Sequence, residues 1–148
     1  MGLQEIILIT CSVFLILAVL LWVIQSSMMA NEGGWSRLAE HYQHKAKFEG
    51  KKWRAKSGRM GLIGYGRCLT IGANNYGLYF AAPFFLRHPP LLIPWDDITT
   101  SESKVLFVSY VDFIFARVPS VTIKLPKKFG DMILLVRANL VEIENSVA

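Results

Sequence analysis

Charge is missing from the start of this sequence: residues 6–24 contain no Asp, Glu, Lys or Arg, and Glu5 is the sole charged side chain before Glu32. Cysteine is scarce too, with Cys11 and Cys68 the only two in 148 residues. One thiol lies inside the apolar run and the other in a predicted strand, which excludes a disulfide-stapled scaffold and fits a reducing compartment. No Cys-x-x-Cys pair or Cys/His spacing suggests structural zinc. The Gly-x-Ser-x-Gly, P-loop and dinucleotide fingerprints are absent as well, and Gly61, Gly64 and Gly66 make only a loose glycine-rich strand. No internal repeat or second-domain linker is visible, so one core is expected.

What fills the uncharged stretch is leucine, isoleucine and valine. Its 19 positions span about 28 Å at roughly 1.5 Å per residue, close to the bilayer's hydrocarbon thickness of about 30 Å. Trp22 falls where an interfacial aromatic belongs. A cleaved signal ending near Met28, Met29 and Ala30 is the competing reading, but it calls for a basic leader and a shorter apolar segment. The expectation is therefore an uncleaved N-terminal transmembrane anchor, with its juxtamembrane segment, within residues 1–30. The run holds no G-x-x-x-G for helix pairing, and Thr10, Cys11 and Ser12 form only a small patch.

All sixteen lysines and arginines follow this run, beginning at Arg37, and seven of them crowd into residues 45–59. Basic residues flanking a span stay on the cytoplasmic side, so the predicted topology puts the N-terminus outside and the C-terminal domain in the cytoplasm, in a bacterial inner membrane or its equivalent. Residues 26–34 are small and polar with paired glycines, which reads as a hinge. From Trp35 the apolar positions Leu38, Ala39, Tyr42 and Ala46 recur at helical spacing, predicting an amphipathic helix to residue 47.

Seven strands are then expected, over 51–56, 59–65, 67–73, 77–82, 91–95, 104–116 and 120–125. Ser57 with Gly58, and Asn74 with Asn75, give the hairpin signals, and His88-Pro89-Pro90 interrupts pairing because proline lacks the amide donor. After Pro126 the period is helical again: Phe129, Met132, Ile133, Val136, Leu140 and Ile143 form one stripe, predicting a helix over about 127–144.

The stretches Leu69-Thr70-Ile71-Gly72 and Gly77-Leu78-Tyr79-Phe80, then Leu91-Leu92-Ile93-Pro94-Trp95-Asp96-Asp97-Ile98 and the terminal helix, resemble the bacterial PH-like and GRAM-like domains of the pleckstrin-homology superfold. The resemblance covers most of residues 48–145. It implies a mainly β domain, a seven-stranded bent antiparallel sheet or split barrel closed by a C-terminal helix. Because the signature is one of hydrophobic spacing, it informs fold more than activity.

Alternation along 51–56 places Lys52, Arg54 and Lys56 on one strand face, with Lys51 and Arg59 nearby. In pleckstrin-homology domains that bind phosphoinositides, the first hairpin supplies cations to phosphates, so these five residues are the candidate anionic-lipid site. The plain alternative is a solvated edge whose lysines prevent strand pairing. Phe84, Phe85 and Leu86, between proline breaks, are the candidate loop for a protein partner or the membrane interface, unless they fold beneath the sheet. His41 and His44 are three apart on the predicted helix but lack a third ligand, so no metal and no cofactor is expected. Asp96, Asp97 and Asp112 have no histidine or nucleophile beside them, and no nucleic-acid motif accompanies the charge. The expected function is a membrane-tethered, non-enzymatic interaction module, an adaptor or accessory subunit with a protein partner. Anionic-lipid binding is the alternative.

Overall fold

The computed structural model describes residues 2–83 and 88–147, leaving aside the side chains of 26, 27 and 29–32. Helix α1 runs Leu3–Gly33, α2 runs Trp35–Tyr42, and seven strands follow: β1 Lys51–Met60, β2 Ile63–Ala73, β3 Gly77–Ala81, β4 Leu91–Pro94, β5 Ile98–Val105, β6 Val108–Phe115 and β7 Val118–Pro126. Helix α3, Lys127–Val147, ends the described chain. The strands form one antiparallel sheet in the order β4-β3-β2-β1-β7-β6-β5, so two meanders join through β1 and β7.

Helix α1 contains no glycine or proline before Gly33, and over residues 6–24 it is apolar around its whole circumference. Residues Leu3–Gln25 are long and apolar enough to cross a membrane, and none of that stretch is buried by the rest of the chain. The hydroxyls of Thr10 and Ser12 donate to Ile6 O and Leu8 O one turn back, each at 2.8 Å, so both are satisfied within the helix. The expected hinge over 26–34 narrows to one residue. The helix continues through Gly33 and breaks at Gly34, whose φ of 88° is left-handed.

Helix α2 buries Trp35, Leu38 and Tyr42 and stops earlier than residue 47, because Gln43 pairs with Leu91 and His44 N donates to Pro90 O at 2.8 Å. Two further bonds tie it across the sheet. The Trp35 indole donates to Pro89 O at 2.9 Å, and the Tyr42 hydroxyl donates to Asp97 Oδ2 at 3.0 Å while accepting from Arg117 N at 3.2 Å. Helix α3 covers a different part of the sheet. Gly130 lies against Val111, Phe129 meets Trp53 edge-on at 5.8 Å, and Arg137 sits over Trp95 at 5.2 Å. Between them Ile71, Phe80, Leu91, Ile93, Phe113, Phe115, Ile123 and Ile133 make the core.

The strand count is as expected, but the partition differs. Ser57 and Gly58 lie within β1 rather than in a turn, because Gly58 is opposite Tyr65 and leaves room for Leu125 and Leu69, whose methyls would sit 2.9 and 3.1 Å from a Cβ there. The turn comes instead at Gly61, with φ 57°, and Leu62. The single strand expected over 104–116 is instead the end of β5, a turn and the whole of β6, and the rest of β5 from Ile98 falls outside the expected strands. Leu106 and Phe107 form the two-residue turn, and Leu106 adopts φ 56°. Two-residue turns favour Asn or Gly because a side chain in the left-handed region costs about 1–2 kcal/mol, so an apolar pair conceals the turn from sequence reading. The Asn74 turn stands as expected: its Oδ1 accepts from Tyr76 N and Gly77 N, both at 3.0 Å.

Candidate functional site

The basic segment occupies β1, and its backbone changes which way the cations face. Trp53 pairs with Ile71 and Lys56 with Leu69, so three residues of β1 oppose two of β2, and Ala55 sits at φ 52°. That bulge shifts the alternation by one residue. Lys52, Arg54 and Lys56 therefore do not share a face. Lys51 and Lys56 turn toward α3, with their Nζ atoms 5.4 Å from the Trp53 ring and 4.9 Å from the Phe129 ring. Lys52 lies on the opposite face over Phe48 and Tyr79, at 5.5 and 5.7 Å, and those two rings are themselves stacked at 4.4 Å. Arg54 is exposed, and Arg59 stands opposite Lys124 on β7. Each cation–π contact is worth about 0.5–1 kcal/mol at an exposed site, so the rings compete with a lipid phosphate for these lysines.

Phe84, Phe85 and Leu86 lie outside the described residues. The ends of their segment are ordered into the core: Phe80 and His88 are buried, and Pro89 O and Pro90 O accept the bonds from Trp35 and His44. His41 and His44 do not share a helix, since α2 ends between them, and among the described residues no three His, Cys, Asp or Glu side chains converge to hold a metal ion.

A polar cluster that sequence spacing could not show forms across three strands. Lys124 Nζ on β7 lies 2.6 Å from Asp112 Oδ2 on β6 and donates to Ser103 Oγ on β5 at 3.0 Å, while Ser103 donates to Asp112 Oδ1 at 2.6 Å. Asp112 is buried. The trio is a closed charge pair that pins the register of β5, β6 and β7, which accounts for the otherwise unpartnered-looking Asp112. Asp97 is likewise engaged, accepting from Tyr42 and pairing with Arg117 Nε at 3.1 Å.

Beneath α2, the Tyr65 hydroxyl lies 3.2 Å from His88 Nε2, with the Trp35 ring against both. Burial is the main cause that pushes the Tyr65 phenol well above its ordinary value, and burial also raises Tyr79 and Tyr42. A raised folded pKa means that the native state holds protons the unfolded chain has released. Stability contributed this way is complete below the unfolded phenol value of about 10 and declines as pH rises beyond it. Burial likewise raises the Cys68 thiol, so urea melts between pH 8 and 11.5 are expected to show a midpoint that eases downward above the unfolded thiol value of about 8.5 and falls steeply only above about pH 10. Tyr65→Phe should flatten that fall, and an equally steep fall in the variant would assign it to other groups.

Among the described residues large apolar side chains of the sheet domain reach the surface at several places, Tyr76 in the β2–β3 turn and Leu135 in the first half of α3 among them. Leu62 is 87% exposed beside the α1 junction, Leu106 and Phe107 are 87% and 94% exposed at the β5–β6 turn, and the far half of α3 leaves Val141, Ile143 and Val147 uncovered. The α3 stripe predicted for packing is thus used only in its first half, around Phe129 and Ile133. No family model, curated protein or solved structure matches this chain.

Proposed function

We propose that the chain is a single-pass membrane protein whose sheet domain is a non-enzymatic interaction module, the adaptor or accessory subunit of a membrane-associated complex. One observation carries this reading. A fully exposed apolar helix is joined through a single residue, Gly34, to a packed domain that leaves apolar side chains uncovered on α3 and on the β5–β6 turn. Exposed apolar residues gathered in this way are a liability unless something covers them.

A seven-stranded antiparallel sheet followed by a C-terminal helix is the architecture that the resemblance to PH-like and GRAM-like domains implies, and that resemblance is one support for an interaction module. The basic residues following α1 favour the domain on the cytoplasmic side. Direct anionic-lipid binding through Lys51, Lys52, Arg54, Lys56 and Arg59 is the weaker reading, because the β1 bulge divides these cations between two faces.

The test is extraction of membranes with alkaline carbonate, then sizing of the full chain in mild detergent. The chain is expected to stay in the membrane pellet and to migrate in a complex larger than one protomer. Release by carbonate would refute the anchor. A lone monomer would refute the interaction module.

A further inference from the structure

We propose that the partner on these apolar surfaces is a second copy of the chain, the turn at Leu106 and Phe107 of one copy seating in the groove along the far half of α3 of the next. This rests on the interaction-module reading and names its partner. The pairing of β5 with β6 sets the backbone of this turn but not the choice of two apolar residues to fill it. Leu106 holds a left-handed conformation that glycine or asparagine would adopt with less strain, and both side chains project almost wholly into solvent. Strain retained in order to display apolar groups points to a contact beyond the domain.

The receiving surface is a shallow, open groove along one face of α3, lined by Leu134, Arg137, Ala138, Val141, Glu142 and Asn145. Arg137 is already directed to the Trp95 ring and carbonyl. Past Arg137 the charged side chains of α3 are Glu142 and Glu144, which makes this end acidic in a chain of net charge +5. Two such helix ends packed together would set like charges against each other, so a symmetric α3 pair is disfavoured. The β5–β6 turn has the opposite character. Lys104 precedes it, the exposed carboxylate of Glu102 two residues earlier is already paired with Lys127 Nζ at 2.6 Å, and no acidic residue follows until Asp112, so insertion of Phe107 brings the Lys104 ammonium toward Glu142.

Turn and groove are different surfaces, so the contact is head to tail and repeats from copy to copy. Anchored spans restrict it to one bilayer plane. That restriction raises the effective concentration of copies and favours a ring or a row.

Photo-crosslinking in membranes tests this, with benzoylphenylalanine replacing Phe107 in the full chain. The expected product migrates at about twice the 16.7 kDa chain mass, and its crosslinked peptide comes from residues 134–145. Lys104→Glu should reduce the yield at least tenfold, and Glu142→Lys in the same chain should restore it. Leu106→Gly, which suits the turn's backbone, should leave the melting temperature unchanged or higher while diminishing the adduct. An adduct to an unlike protein would overturn self-association and leave the module reading standing. Absence of any adduct would overturn self-association, and a dimer adduct whose yield is indifferent to Lys104→Glu would overturn the pairing of Lys104 with Glu142, while native sizing judges the module reading separately.

Discussion

Gly34→Ala is expected to lower the melting temperature of the full chain in detergent by about 10 °C, corresponding to about 3 kcal/mol for a domain of this size. Two costs add. At φ 88° an L side chain costs about 1–2 kcal/mol, and the new Cβ would lie 2.5 Å from Val121 Cγ2. Val121 is buried on β7, so it cannot swing aside, and forcing a methyl into a filled core costs about 1–3 kcal/mol. The adjoining Gly33 is close to Ile63 and Met60 O, both 3.3 Å from where its Cβ would be. The helix end is therefore seated on the sheet. A double-mutant cycle separates the two costs: in a Val121→Ala background the alanine at 34 should cost only the backbone strain, about 1–2 kcal/mol. A loss below about 1 kcal/mol in the wild-type background would mean that anchor and domain are loosely joined.

Asp112→Ala should cost about 2–3 kcal/mol in urea melts, less than the 3–5 kcal/mol typical when one partner of a fully buried pair is removed, because Lys124 is partly exposed. The loss comes mainly from leaving the Lys124 ammonium and Ser103 hydroxyl without their acceptor. Replacing both charges, as Asp112→Leu with Lys124→Met, should recover stability to within about 1 kcal/mol of wild type, since a well-packed apolar pair avoids the desolvation cost. If the double variant is as unstable as Asp112→Ala, the carboxylate has a further partner that the pairwise account misses.

The carriers of both effects differ in how visible they were. A glycine pair after an apolar run signalled a break near Gly34, although the continuation of α1 through Gly33 did not follow from composition. Nothing in the spacing of residues 103, 112 and 124 linked them, because hydrogen-bonded neighbours on three strands have no fixed separation in sequence.

By itself the sequence determined the features that depend on local periodicity and composition. These are an apolar helix of membrane-spanning length, a strand-rich stretch whose count of seven is right though its divisions are not, the Asn74 turn, and a helix beginning at Lys127. Each is encoded within a few neighbouring residues, so side-chain pattern and backbone preference suffice. Tertiary structure decided the rest. One extra residue at the Ala55 bulge reversed the facing of the cations that follow it, because strand faces alternate residue by residue. Gly58 was taken from turn to strand by Leu69 and Leu125, and the apolar turn at Leu106 and Phe107 is imposed by the pairing of β5 with β6. The α3 stripe, continuous in sequence, is buried only as far as the sheet extends beneath it. Its reach past that edge is a property of packing that no local pattern records.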